Sequence, residues 1–183
     1  MQRPSAWAPC WRTSPADSTD VRITGELHGN LVEIRDLTPL DVLPDQSSEW
    51  DAWDDDWLPD DEQPTHHRAV ILVDGRIVGT MSWHAVLYGP TAGSRAWSIG
   101  LSLAPNDRGR GIGSRAQQLL SDHLLQTAHR VEASTDVDNH AEQRSLEKAG
   151  FTREGILRGA QYRADGRHHD LVMYARTRDT LAG

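Results

Sequence analysis

The sequence predicts one α/β (α+β) domain, a mixed, mostly antiparallel twisted sheet of about seven strands flanked by helices. Three observations carry that prediction. Alternating apolar runs separated by turn signals recur along the chain, and two amphipathic helical stretches interrupt them in its second half. Their order, β, α, then β-β-β, α, β, α, β-β, combines hairpins with βαβ crossovers. A chain of 183 residues, 37% hydrophobic and 25% charged, has the size and balance for one such core.

Residues 1–20 are rich in Pro, Ser and Thr without periodicity and are expected to form a loose N-terminal extension, with residues 21–183 as the domain. Leu31–Leu37 alternates as a strand, preceded by a pairing segment near Val21–Leu27. Thr38-Pro39 should open a helical region, in which Trp50, Trp53 and Trp57 fall at i, i+3 and i+7 on one face of a short helix. Ala69–Val73 is a compact apolar run, Asp74-Gly75 a type I′ turn signal, and Arg76–Leu87 the returning strand. In the next strand, Arg95–Ala104, residues Trp97, Ile99, Leu101 and Leu103 share a face. The strongest helix runs from Ile112 to about Ala128, with Ile112, Ala116, Leu119, Leu120, His123 and Leu124 as its buried stripe. Val131, Ala133, Thr135 and Val137 then alternate in a strand. Asn139–Ala149 is a second helix, with Asn139 as N-cap, Glu142 as capping-box partner and Gly150 just past its end. Two final strands, about Phe151–Arg163 and His169–Arg176, meet around Asp165-Gly166.

Charge and composition narrow the function classes. The formal charge is −8, and ten acids with no Lys or Arg lie between Asp41 and Glu62; outside that block the balance is 17 acids to 19 bases. Such a block repels phosphate backbones, so no nucleic-acid partner is expected. The sequence has no apolar run near the ~18 residues of a membrane span and no apolar stretch near Met1 suited to export, which points to a cytoplasmic protein without a membrane partner. One cysteine, Cys10, excludes a cysteine zinc cluster, and the adjacent pairs His66-His67 and His168-His169 lack metal-ligand spacing, so no metal is expected. Nothing in the pattern separates a monomer from a homodimer.

The segment Leu101-Ser-Leu-Ala-Pro-Asn-Asp-Arg-Gly-Arg-Gly-Ile-Gly-Ser114 carries the chemistry. A strand enters a loop with Gly109, Gly111 and Gly113, and an amphipathic helix follows directly. Unpaired amides at a helix start, with the positive end of the helix dipole, form a seat for phosphate or pyrophosphate. Arg108 and Arg110 add charge and fork geometry suited to phosphate oxygens. The Walker A pattern fails, because Ile112-Gly113-Ser114 lacks the Lys. The G-x-G-x-x-G dinucleotide fingerprint fails as well, because the spacing here is G-x-G-x-G.

Arg108-Gly109-Arg110-Gly111-Ile112-Gly113 matches the Q/R-x-x-G-x-G/A acyl-CoA loop, and the chain resembles the GCN5-related N-acetyltransferase (GNAT) superfamily. Asn139 with Leu146-Glu147-Lys148-Ala149-Gly150-Phe151 is similar to the block of its RimJ/RimL-like branch. Gly155, Arg158, Asp170–Ala175 and Leu37–Asp41 also look like that branch, so the resemblance covers roughly residues 22–178. It implies the GNAT fold and an acyltransferase that moves an acetyl group from acetyl-CoA, as co-substrate, directly to a primary amine. The acceptor would be a protein N-terminus, an amino acid or an amine-bearing small molecule. In that reading the pyrophosphate lies on the amides of Gly109 to Ser114, the pantetheine arm pairs with the backbone at Leu101 and Leu103, and Asn139 contacts the arm.

The catalytic positions depart from the branch. The superfamily's frequent Tyr is Leu146, the branch's Ser is Glu142 and its proposed Glu base is Gln161. Glu142 reads either as a capping-box residue or as the base. His84 reads as a base or a packed strand residue, and Tyr162 as an acid, an acceptor-positioning group or a packing residue. Trp50, Trp53, Asp54 and Trp57 form either a core stripe with a solvated acidic face or a site for a cationic acceptor. The alternative to an enzyme is a catalytically degenerate acyl-CoA-binding sensor or scaffold.

Overall fold

Turn chemistry builds the first half of the sheet. The computed structural model describes residues 21–51, 53 and 66–181. The expected N-terminal extension with Cys10, and the candidates Asp54 and Trp57, lie outside the described residues. Strands β1 (Arg22–Leu27) and β2 (Asn30–Asp36) form a hairpin that pairs through β2 with β3 (His67–Val73). Asp74 and Gly75, at φ 48° and 81°, make the type I′ turn into β4 (Arg76–Leu87). Then follow β5 (Arg95–Leu103), helix α1 (Ile112–Leu124), β6 (Arg130–Asp136), helix α2 (His140–Lys148), β7 (Thr152–Tyr162) and β8 (His168–Thr177). Among the described residues the sheet thus has eight strands, in the order β1-β2-β3-β4-β5-β6-β8-β7, with Arg22–Leu27 as a full member. Every neighbouring pair is antiparallel except β5 and β6.

Both helices pack on one face of the sheet, where Trp97, Ile99, Leu103, Val131, Ala133, Leu120 and Leu146 form one buried cluster. The stripe of α1 differs from the expected one. His123 is exposed, whereas Gln117 and Ser121 are buried. The buried band extends toward α2 and β8, where Gln117 meets Ser145 and Glu142 and where Arg176 Nη1 donates to Ser121 Oγ at 2.5 Å.

Helix α2 ends as a Schellman motif: the Gly150 amide donates to Glu147 O and the Phe151 amide to Leu146 O, both at 3.0 Å, with Gly150 at φ 87°. Its start is half a capping box. Asn139 Oδ1 accepts from the Glu142 amide at 3.2 Å, but the Asn139 amide donates to Asp136 O at 3.1 Å instead of to Glu142.

The helical region expected from Thr38 is absent among the described residues before a 3-10 turn at Glu49–Asp51. The Asp41 carboxylate accepts from the Thr38 amide at 2.8 Å and its hydroxyl at 2.9 Å, and pairs with both terminal nitrogens of Arg35 at 2.9 and 2.6 Å. These side-chain bonds replace the backbone ladder a helix would need. The segment runs instead over the face of the sheet opposite the helices. There Thr80 Oγ1 donates to Gln46 Oε1 at 2.7 Å, and Ser102 Oγ to Gln46 O at 3.3 Å.

Candidate functional site

The parallel pairing of β5 and β6 extends only from Ala96–Arg130 to Ser98–Glu132. Beyond Ser98 and Glu132 the two strands separate, and the gap between them is a cleft of about 480 Å³ that passes through the sheet. The register decides what faces it. The Ala104 amide donates to Val78 O at 2.9 Å, so alternate residues back along β5 bond to β4, and Ile99, Leu101 and Leu103 turn their backbone groups toward the gap. By the same count from Val137 N to Asp170 O, Ser134 turns its backbone groups inward from β6. Leu101 and Leu103, expected to pair with a cofactor arm, have this orientation, and so does Ile99, deeper in the gap.

The glycine loop closes one end of this cleft. Gly109 and Gly111 have φ of 71° and 81°, and Gly111 is the N-cap of α1. The first i→i−4 bond of the helix runs from the Arg115 amide to Gly111 O at 3.1 Å, so the amides of Ile112, Gly113 and Ser114 have no carbonyl of an earlier turn to bind. A Cβ on Gly113 would lie 3.0 Å from Leu101 Cδ2 and 3.2 Å from Ser145 Oγ, so a larger residue there would have to push these side chains aside by a few tenths of an ångström. Three directed amides at the positive end of a helix fit an anionic diphosphate. Asn139, also on the cleft, uses Oδ1 for its cap, while its Nδ2 has no partner among the described residues. Arg144 and Lys148, one turn apart on α2, add positive charge to the same wall.

The two loop arginines have other partners. Arg108 Nε donates to Leu103 O at 3.0 Å and Nη2 to Ser47 O at 2.7 Å, which ties the end of β5 to the segment before Trp50. Arg110 lies 3.2 Å from Asp107, which Arg76 also grips at 2.7 and 2.9 Å. The Arg76 guanidinium, against the opposing effect of burial, holds the Asp107 carboxyl below the usual carboxylate range. A carboxylate that ionises more readily folded than unfolded stabilises the fold above its ordinary pKa near ~4 and loses that effect as pH falls through the folded value. Asp107→Asn is therefore expected to lower Tm at pH 7 by about 2–4 °C, and by much less at pH 2.5. Thermal unfolding at the two pH values measures this; an equal deficit at both would assign the loss to packing.

The candidate catalytic residues separate. Glu142 lines the cleft, and its Oε1 accepts from Gln117 Nε2. Gln117 Oε1 in turn accepts from Ser145 Oγ at 2.9 Å, so one buried amide joins two residues of the cleft wall. Sequence reasoning missed Gln117 and Ser145; a glutamine at a buried helical spacing was the available signal. His84 stands on β4 outside the cleft lining, with its ring 4.7 Å from that of His66. Burial, then His66, push its pKa down, with Glu132 opposing. Tyr162 is exposed beside His168 and is not part of the lining either. Trp50 lines the cleft, whereas Trp53 is exposed outside it.

The sheet side of the cleft has its own composition. Gly100, Ser102, Ser134 and Gln161 share the face opposite the helices, next to Trp50 and Arg163. The cleft therefore has an anion-suited mouth under the helices and a polar mouth on the opposite face. Among the described residues no three His, Cys, Asp or Glu side chains gather as metal ligands, and no helix is long and apolar enough to cross a membrane.

Comparison with known proteins agrees with this geometry. The model of the Acetyltransferase (GNAT) family matches residues 32–151, which include the cleft strands, the glycine loop and both helices. The Bacillus subtilis (strain 168) protein named "Probable N-acetyltransferase YjcK" is 32% identical over 99 residues, so the match spans about half of each chain, 53% in both. The structure of Mycobacterium smegmatis RimJ in complex with CoA-disulfide superposes with a TM-score of 0.57 at 28% identity, covering 64% of this chain and 56% of that one. RimL, a ribosomal L7/L12 α-N-protein acetyltransferase in complex with coenzyme A, gives 0.55 at 30% identity, covering 63% of each. With its splayed strands and glycine loop inside the matched region, the chain belongs to the Acetyltransferase (GNAT) family.

Proposed function

We propose that this protein is an N-acetyltransferase that moves an acetyl group from acetyl-CoA directly to a primary amine. The observation that carries the reading is the continuity of directed backbone groups, from Ile99, Leu101 and Leu103 along β5 to the amides of Ile112, Gly113 and Ser114. An extended pantetheine arm would pair with the first set as an added strand, while its diphosphate would sit on the second. The neutral amine attacks the thioester carbon, a C–N bond forms and the C–S bond breaks. The proton given up by nitrogen ends on the departing sulfur, so coenzyme A leaves as the thiol. An amide of β5 aimed into the cleft supplies the donor for charge developing on the carbonyl oxygen. Alignment of the two reactants supplies a large part of the acceleration. RimJ and RimL, whose structures hold coenzyme A, support this reading and bring protein N-termini forward among the acceptors.

Release of free thiol from acetyl-CoA, followed over a panel of peptides, amino acids, polyamines and aminoglycosides, tests the proposal. Amine-dependent thiol release with a matching acetylated product is the expected result. Tight coenzyme binding without turnover on any amine would make the chain a sensor or scaffold instead.

A further inference from the structure

Arg163 stands just past the end of β7 and lines the sheet-side mouth of the cleft, although its side chain is only 6% exposed. Its guanidinium is held from two directions. Nη1 lies 2.9 Å from Asp136 Oδ2, and Nε donates to Gln161 Oε1 at 2.8 Å. Asp136 is itself fixed, because its Oδ1 accepts from the Asp138 amide at 2.8 Å and its Oδ2 lies 3.5 Å from His169 Nδ1. Nη2 of Arg163 makes no hydrogen bond to the described residues.

A buried guanidinium whose charge is matched by a carboxylate, and whose plane is already set, offers its remaining N–H groups at little further ordering cost. With Asp136 balancing it, that donor suits a neutral carbonyl oxygen better than a second full anion. In an α-aminoacyl group the amine nitrogen and the carbonyl oxygen are separated by only two carbons, so holding the oxygen also places the nitrogen. We propose that Arg163 determines acceptor specificity by binding the carbonyl next to the reacting amine. The preferred acceptors are then α-amines of aminoacyl compounds, such as the first residue of a peptide, rather than isolated alkylamines or lysine side chains. This rests on the transferase reading above.

The test compares alaninamide with isopropylamine, which lacks the carbonyl, as kcat/KM per concentration of neutral amine. A site built to hydrogen-bond a substrate group discriminates strongly against the analogue without it. The intact protein is expected to prefer alaninamide by about a hundredfold or more. Arg163→Lys, which keeps the charge against Asp136, and the paired change Arg163→Gln with Asp136→Asn, which removes both charges together, should each reduce that ratio at least about tenfold. Calorimetric titration with coenzyme A reports whether each variant retains the fold and the cofactor loop. An intact protein without the preference, or variants that bind coenzyme A and keep the wild-type ratio, would overturn the proposal. Absence of thiol release on every amine tested, with coenzyme still bound, would instead overturn the transferase reading on which it stands.

Discussion

Tryptophan in place of Gly111 is expected to reduce coenzyme A affinity about a hundredfold or more while leaving the protein folded. Two effects act at this position. Gly111 has φ 81°, so any side chain there carries left-handed strain of roughly 1–2 kcal/mol. The residue also lines the cleft as the N-cap of α1, and an added Cβ meets only Leu27 Cδ1 and Cδ2, at 3.7 and 4.0 Å, so a large side chain enters open space beside the loop without displacing the core. An indole there is expected to crowd the neighbouring amides of Ile112, Gly113 and Ser114. Gly111→Ala separates the two effects, because it adds the strain without the bulk. Its affinity should fall by about thirtyfold at most, the factor that corresponds to the upper end of that strain if all of it falls on the bound state. Calorimetric titration with coenzyme A and thermal unfolding of both variants decide the matter. A folded tryptophan variant with wild-type affinity would show that the diphosphate lies elsewhere.

The parts of this molecule legible in its sequence are those set by local chemistry. Asp74-Gly75 dictates a type I′ turn wherever two strands flank it, and Gly150 after Leu146-Glu147-Lys148-Ala149 dictates a helix end; both stand where expected. The glycine loop was legible for the same reason, since spacing alone sets three amides at a helix start. What the sequence could not show are relations between distant residues. The cleft exists because β5 and β6 stop pairing after Ser98 and Glu132, and neither strand marks that point in its own pattern. Arg108 and Arg110 read as phosphate ligands from their charge; in the fold Arg108, which lines the cleft, also bonds the carbonyls of Leu103 and Ser47, and Arg110 pairs with the carboxylate of Asp107. The helix expected after Thr38 gives way to Asp41, whose partner Arg35 lies in the preceding strand. At these positions polar side chains find carbonyl or carboxylate partners, and those bonds override what charge and local propensity suggest.

Glu142→Gln is expected to slow turnover by about 10²–10³-fold while coenzyme A binding stays within a fewfold of wild type. The magnitude is that of losing a positioned proton acceptor. Of the three candidate acid–base residues, Glu142 alone lines the cleft, whereas His84 and Tyr162 stand outside it. A carboxylate there can take the proton from the attacking amine, and the amide that replaces it cannot. Gln117→Leu extends the test to the residue behind it. Gln117 Nε2 donates to Glu142 Oε1 while its Oε1 accepts from Ser145, so leucine keeps the approximate volume of a buried side chain and removes both bonds. That variant should lose about tenfold in kcat, with a smaller change in KM for acetyl-CoA. The rising limb of its pH profile should move to higher pH, because a carboxylate deprived of a donor holds its proton more tightly. A role in packing alone would lower Tm without moving that limb. If Glu142→Gln turns over at the wild-type rate across pH, the carboxylate is only a helix-start residue, and alignment of amine and thioester in the cleft must supply the acceleration by itself.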